Sequence, residues 1–549
     1  MGQMKTPGVY IVEKSAFPNS VVEAPTAIPA FIGITEKAQN GADSLSGKPW
    51  KITSMTEFQQ YFGGAPAPEF ALSVIDSPEK DATETFYGIE SAFKDENGKT
   101  WLLRVVNRSN PYSLYYHMVM FFANGGGTCY IVSIGTYNEK DTKGNLIKVD
   151  KDNVKKALDD LKKEQEITMV VVPEAASTPD CKDIQTQMLA HCGEMMNRFA
   201  ILDVQPKTTG NETMDDQIKT FRTNVGANYL SYGAAYYPWL NTSVLSDKDI
   251  DGTVLTWDYT QEAPVLNPFF DPKSGFPKYF SSAFEEIKKG KKTVLKEKVD
   301  ENGQPEIDKE TDKKIMVETE EDCTADELAA LKNNLHNALL QNFPGYQYIV
   351  DKVREKLNLL PPSAAMAGLY TMVDNTRGVW KAPANVSVNY VNSPTENIDN
   401  AMQEDLNMPM NGKAVNAIRT FPGEGIKVWG ARTLDGNSQD WRYVNVRRTM
   451  MFLEESVKNA AKAYVFEPNV AATWMNVRSM IDNFLRSVWK RGGLAGATPE
   501  DAYEIHVGLG DTMTANDILD GIMRITVLVA ITRPAEFIEI TFQQQMQKS

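Results

Sequence analysis

ITMVVVPEAASTPDCKDIQTQMLAHCGEMMNRFAILD, residues 167–203, is the stretch whose reading decides the fold. Ile167–Val172 is a short, continuous apolar run. Such a strand has no polar face to give to water, so both of its faces must be covered. Cys181–Arg198 carries the spacing of an amphipathic helix, and Phe199–Asp203 is a second short apolar run. Strand, helix and strand in this order predict a layered α/β arrangement.

The same alternation extends upstream. Ala30–Ile34 reads as a buried strand. Phe86–Lys94 and Thr100–Val106 flank Asn97-Gly98, a strong hairpin signal. Leu114–Ala123 reads as a helix ending at Gly125, Tyr130–Ile134 as a strand and Val154–Leu161 as a helix. Residues 31–240 are therefore expected to form one layered α/β domain. Lysine and glutamate then rise sharply. Glu301-Asn302-Gly303 sits between two charged strand-like segments, and Thr324 to Glu327 has capping-box spacing. Residues 241–360 are expected to be an inserted surface domain with its return segment. In the last block, 361–549, apolar residues recur at helical spacing through Val446–Ala461 and again through Trp474–Val488. The chain then carries two strand-like runs, Arg524–Thr532 and Ala535–Phe542, separated by Arg533-Pro534.

Composition narrows the function classes. The chain has 549 residues, which is too many for one ordinary core. A net charge of −15 without a lysine-rich block argues against direct nucleic-acid binding. No apolar run is long enough to span a membrane. Met1–Tyr10 has no apolar signal core, so folding in the bacterial cytoplasm is expected. The four cysteines are irregularly spaced, as reduced thiols would be.

Candidate chemistry is thin. Gly125-Gly126-Gly127 follows a helix and precedes a strand, the reverse of a phosphate loop, so a helix cap and tight turn is the better reading. His191, Cys192 and Cys181 lack the paired short spacing of a zinc site and read as residues of an amphipathic helix. None of the four histidines sits in a recognisable triad or metal motif. No catalytic, cofactor-binding or metal-ligating residue is assigned. On the second C-terminal helix Arg478, Arg486 and Lys490 form either a solvated face or a docking face for an acidic partner.

The chain ends are the most informative feature. Val9, Tyr10, Ile11 and Val12 make a strand isolated by a linker bearing Pro18, Pro25 and Pro29. A lone strand cannot recover the entropy of its ordering unless it is paired. It either folds back on the C-terminal runs of its own chain or is donated to a neighbouring copy. The pairing residues would be Ile525, Val527, Val529 and Ile531, or Phe537, Ile538 and Ile540.

At these positions the sequence resembles the contractile tail-sheath family of myophages, pyocin-like particles and extracellular contractile injection systems. TPGVYIVE (6–13) is similar to that family's N-terminal arm, and PTAIPAFIGITEKA (25–38) to its first core strand. PPSAAMAGLYTMVDNTRGVWKAPAN (361–385), FPGEGIKVWGARTL (421–434) and WRYVNVRRTMMFLEES (441–456) are similar to further blocks. VFEPN (465–469), GGLAGATPEDAY (492–503) and RPAEFIEI (533–540) complete the set, and none of these blocks falls in residues 241–345.

The resemblance implies a mixed α/β, multidomain sheath-subunit fold. An inner domain would be built from residues 1–30 and 361–549, with extended terminal strand arms. The layered domain 31–240 and the charged insert would lie outside it. It implies a helical homo-oligomer with six subunits per ring, stacked around an inner tube protein. Neighbours would be laced by strand exchange, and baseplate and terminal cap proteins would be further partners. The implied role is structural and not enzymatic: a component of a phage tail or tail-like particle. Within it, the charged helix bearing Arg478, Arg486 and Lys490 is the element expected to face the tube. Other self-assembling shell proteins, or an α/β enzyme, are the competing classes.

Overall fold

The computed structural model describes residues 21–75, 85–87, 93–94, 100–108, 112–140, 144–207, 212–264, 273–299, 305–306 and 314–543. The chain divides into two compact units. One takes residues 1–64, 112–239 and 361–549, the other residues 65–111 and 240–360.

The larger unit is organised by a nine-stranded sheet. From edge to edge its strands are Val386–Ser387, Gly425–Val428, Asn416–Phe421, Gly233–Tyr237, Phe199–Asp203, Met169–Val171, Pro29–Thr35, Cys129–Thr136 and Trp50–Ile52. The six strands from Asn416–Phe421 to Cys129–Thr136 run parallel, and antiparallel strands close both edges. The central strands are buried along their whole length, as their apolar sequence requires. The Leu114–Ala123 and Ser363–Arg377 helices approach so closely at Gly368 that a Cβ there would lie 2.4 Å from the Phe121 carbonyl oxygen.

Two buried carboxylates lie where the parallel strands end. Glu174, after Met169–Val171, accepts from the backbone N–H groups of Ser113 and Leu114 through Oε1 and of Ile34 through Oε2. Asp203, the last residue of its strand, accepts from the Ser363 N–H at 2.8 Å. Each thus meets the first N–H groups of a helix, the free donors that a helix start leaves. Burial pushes both carboxyls up to about 7.

The C-terminal block adds two long helices, Val444–Ala461 and Ala471–Lys490. Val477, Ile481, Phe484, Leu485 and Val488 repeat at helical spacing and share a core with Phe452 and Leu453. Arg448, 5 % exposed, ties the unit together. It donates to both carboxylate oxygens of Asp374 at 2.9 and 2.6 Å and to the Thr26 carbonyl at 2.8 Å. One guanidinium therefore joins the N-terminal linker to two helices.

In the smaller unit, strand Phe70–Ile75 pairs with Thr100–Asn107 and with Leu255–Trp257. Helices Phe276–Lys289, Ala325–Asn342 and Pro344–Leu357 supply its core, which includes Phe280, Phe284, Leu339 and Ile349. The two charged strand-like segments are strands, and Lys291–Glu297 pairs antiparallel with Met316–Asp322. Thr324 and Glu327 complete the predicted capping box.

This division corrects the expected boundaries. Residues 31–240 are not a separate layered domain, because Asn416–Phe421 adds to their sheet beside Gly233–Tyr237. Residues 241–360 are not an independent insert either. Their Leu255–Trp257 strand completes a sheet begun at Phe70, and the two segments share one core. Backbone pairing over nearly two hundred residues leaves no local trace in composition. The glycine run is the turn expected: Gly125 has φ +93°, and the Gly126 N–H closes on the Phe121 carbonyl at 3.0 Å.

Candidate assembly surface

Residues 494–531 pack on the two long helices. Strands Tyr503–His506 and Thr526–Val529 pair antiparallel. Tyr503 and Ile505 are buried in the helix core, and Ile525, Val527, Val529 and Ile531 pack against it from the second strand. Leu528 points the other way and is 53 % exposed. Four of the residues expected to serve strand exchange therefore use their side chains within their own chain. Only their backbones are left to offer.

The register shows which backbone groups those are. The Ala530 N–H donates to the Ala502 carbonyl at 2.8 Å. In an antiparallel ladder successive residues point to opposite edges. Leu528 and Thr526 thus bond toward Tyr503–His506, and the N–H and C=O of Val527 and Val529 face away from it. Among the described residues no strand lies beside them on that edge.

Beyond Ile531 the chain is fastened by side chains. Asn445 Nδ2 donates to the Thr532 carbonyl at 3.0 Å, and Arg533 donates to the Gln439 carbonyl at 2.7 Å. Glu536 is the main bolt. It accepts from Arg432 Nε and Nη2 at 2.9 and 2.7 Å, from Asn407 Nδ2 at 2.7 Å and from the Tyr443 hydroxyl at 2.8 Å. Burial opposes its charge, yet these donors and the Arg432 cation hold the carboxyl below its usual range.

Past this bolt the run expected to be a second strand, Ala535–Phe542, forms none. A strand needs a partner, and among the described residues none lies beside this run. Phe537, Ile538, Ile540 and Phe542 are 70, 78, 70 and 91 % exposed. The N-terminal strand residues Val9, Tyr10, Ile11 and Val12 lie outside the described residues.

Arg478, Arg486 and Lys490 are exposed on the face of the Ala471–Lys490 helix opposite its buried stripe. Arg486 lies 3.5 Å from Asp482 in an exposed pair that contributes little. The structure places the three cations on one helix, where Arg486 also meets the hydroxyl of the buried Tyr503.

Among the described residues the candidate chemical groups are held apart and buried. The carboxylates at the strand ends, where an open α/β sheet usually holds its ligand, are occupied as helix caps. Cys181 and Cys192 are buried, and burial pushes both thiols up to about 12. Burial lowers His117 to about 3 and His191 to about 4. Among the described residues no cluster of three potential metal ligands occurs. Sequence reasoning missed Glu536, Arg432, Asn407 and Asn445. Glu536 and Glu539 look alike in RPAEFIEI, and only the fold places donors around the first.

Comparison with known proteins bears on these ends. Residues 437–545 match the family model described as the phage tail sheath C-terminal domain. The tail sheath protein of Vibrio phage KVP40 is 25 % identical over 178 residues, 32 % of this chain and 25 % of that protein. A putative prophage major tail sheath protein of Pseudomonas aeruginosa strain UCBPP-PA14 is 26 % identical over 171 residues, 30 % of this chain and 43 % of that protein. The chain thus matches from a quarter to under half of the length of these relatives. Among solved structures, the PVC sheath complex of an extracellular contractile injection system, in its contracted state, is 25 % identical. It superposes with TM-score 0.54 over 100 % of this chain and 99 % of that one. The anti-feeding prophage helical sheath in its contracted state shares the fold, with TM-score 0.55 at 24 % identity over 99 % of this chain and 100 % of that one.

Proposed function

From this kinship in sequence and fold with contractile tail sheaths, we propose that the chain is the structural subunit of such a sheath. It polymerises as stacked six-membered rings around an inner tube, between a baseplate and a terminal cap, and contraction drives the tube through a target envelope. The observation that carries this reading is the pairing of an open strand edge at Val527 and Val529 with an exposed apolar arm rooted at Glu536. An edge of this kind left bare invites aggregation. A heterologous strand exchange covers it and propagates into an open helix.

In this reading the N-terminal strand Val9–Val12 pairs with the C-terminal strands of a different copy. The strands act as ties that survive rotation of the subunits. Contraction breaks sheath–tube contacts and forms larger contacts between subunits, so each subunit supplies a few kcal/mol and the gain adds over every copy. Arg478, Arg486 and Lys490 make the tube contact, and screened surface charges of this kind can let go. The lattice contacts of this reading are made by the two chain ends.

The test is a cysteine pair. Ile11→Cys on the arm and Leu528→Cys on the exposed face of the strand are introduced with Cys323→Ser. The other native thiols are buried and can stay. Oxidation of assembled protein should give covalent ladders of many subunits. Crosslinks confined to single chains would show that the arm folds back on its own subunit.

A further inference from the structure

Among the described residues Arg447 is a cation without a paired anion. Its guanidinium carbon lies 4.1 Å from the centre of the Tyr232 ring and 4.6 Å from that of Trp441, in the range of cation–π stacking with both rings. The residue is 5 % exposed, and its Nε is buried without a hydrogen-bond partner. Among the described residues its Nη groups have no hydrogen bond or ion pair within the chain. Its neighbour Arg448 holds Asp374 through both oxygens, so that carboxylate is taken. Glu454, two turns along the helix, is near enough to favour the charge of Arg447 but forms no ion pair with it. Tyr229, 45 % exposed, stands at the rim, edge-on to Tyr232.

Burying a cation costs stability unless hydrogen bonds and an opposite charge offset it. Two aromatic faces supply part of that and hold the plane of the guanidinium fixed. They leave its donors to bond only in that plane. A planar fork held this way matches a planar carboxylate, which can accept two parallel N–H bonds from it.

We propose that the slot between Tyr232 and Trp441 is the receptor for a carboxylate side chain presented by a neighbouring copy of this chain. The proposal rests on the reading of the chain as a self-assembling subunit. Charge complementarity selects the occupant. The chain carries −15 net with 72 acidic residues, so a second copy approaches this cationic slot with carboxylates in excess. The contact relieves a cost already present in the free subunit, which makes it favourable only on assembly.

The test is Arg447→Met in the full chain, with wild type and Arg447→Lys alongside. Methionine keeps the length of the side chain and packs well between aromatic rings. It also removes an unpaired buried charge. The free subunit should therefore melt at or above the wild-type temperature. The critical concentration for polymerisation should rise about ten-fold or more, the factor expected for losing one charge-assisted pair. The lysine variant should recover part of the assembly, because it restores charge without the fork. Polymerisation of the methionine variant at the wild-type concentration would overturn the proposal and leave the assembly reading intact. So would a methionine variant whose melting temperature falls in step with its assembly, since Arg447 would then serve the subunit's own fold. A wild-type chain that stays monomeric beside its tube protein would remove both readings together.

Discussion

A proline at Val527 and a proline at Leu528 should have opposite consequences, although the positions are adjacent. The N–H of Leu528 points toward Tyr503–His506, while that of Val527 faces the open edge. Leu528→Pro removes a ladder donor inside the subunit and strands a carbonyl on the partner strand. It should cost the free subunit about 1–3 kcal/mol. Val527→Pro removes no bond from the free subunit, and its ring is close in size to the partly buried valine it replaces. The loss in the monomer should stay near 1 kcal/mol. In the assembly the balance reverses. Val527→Pro deletes one interchain hydrogen bond, worth about 1 kcal/mol, and places its ring where the incoming strand must lie. A combined penalty of about 2 kcal/mol per subunit raises the critical concentration roughly 30-fold. Thermal unfolding of the subunit and sedimentation of polymer over a concentration series measure the two effects separately. Wild-type sedimentation of Val527→Pro would show that this edge takes no strand. A melting temperature lowered more by Val527→Pro than by Leu528→Pro would show that the register is misread.

Two further outcomes can be checked. Reversing Arg478 and Arg486 to Glu should leave the melting temperature of the subunit within a degree or two, because both side chains are exposed, and should abolish salt-sensitive co-sedimentation with the tube protein; unchanged binding at low salt would assign the face to solvent. Glu174 and Asp203 are both raised to about 7 by burial, so the folded state holds protons that the unfolded chain releases near pH 4. Their contribution is complete below pH 4 and is lost as pH rises through 7, so subunit stability should fall between pH 5 and 8; Glu174→Gln, which cannot ionise, should flatten that slope, and an identical slope would refute the assignment.

The elements legible in the sequence were those whose causes are local. Leu114–Ala123, Cys181–Met195 and Phe199–Asp203 lie where apolar periodicity placed them, within a few residues at their ends. The capping box at Thr324 was legible because both of its partners lie within four residues. What could not be read depends on pairing between distant backbones. The Asn416–Phe421 strand joins the parallel sheet beside residues 233–237, and nothing in NAIRTF names that neighbour. The site divides in the same way. The alternation that turns Ile525, Val527, Val529 and Ile531 to one face is visible in RITVLVAIT. That this face belongs to the chain's own helices, leaving the backbone edge open, needed the Phe452 and Phe484 core to be seen. Arg447 and Arg448 are consecutive arginines in one helix. Only three dimensions separate the one that is paired from the one that is not.

The root of the arm shows how a polymer could load this subunit without unravelling it. Glu536 holds Arg432, whose own backbone is clasped by Asn416: the Asn416 Oδ1 accepts from the Arg432 N–H at 2.7 Å, and its Nδ2 donates to the Arg432 carbonyl at 2.8 Å. The same Nδ2 reaches the Ala235 carbonyl at 3.2 Å, within the parallel sheet. A pull on Phe537–Phe542 therefore passes from a carboxylate to a buried guanidinium, then to an asparagine at the start of one parallel strand and to the backbone of the next. Peeling the arm away would strip Arg432, 2 % exposed, of its counter-ion, and an unpaired buried charge costs about 3–5 kcal/mol. One interchain strand hydrogen bond is worth about 1 kcal/mol and can be exchanged with water at the surface. If strands are exchanged between copies as proposed, that pairing would yield under load bond by bond before the root does, and the arm would slip or re-register while the subunit it belongs to stays folded.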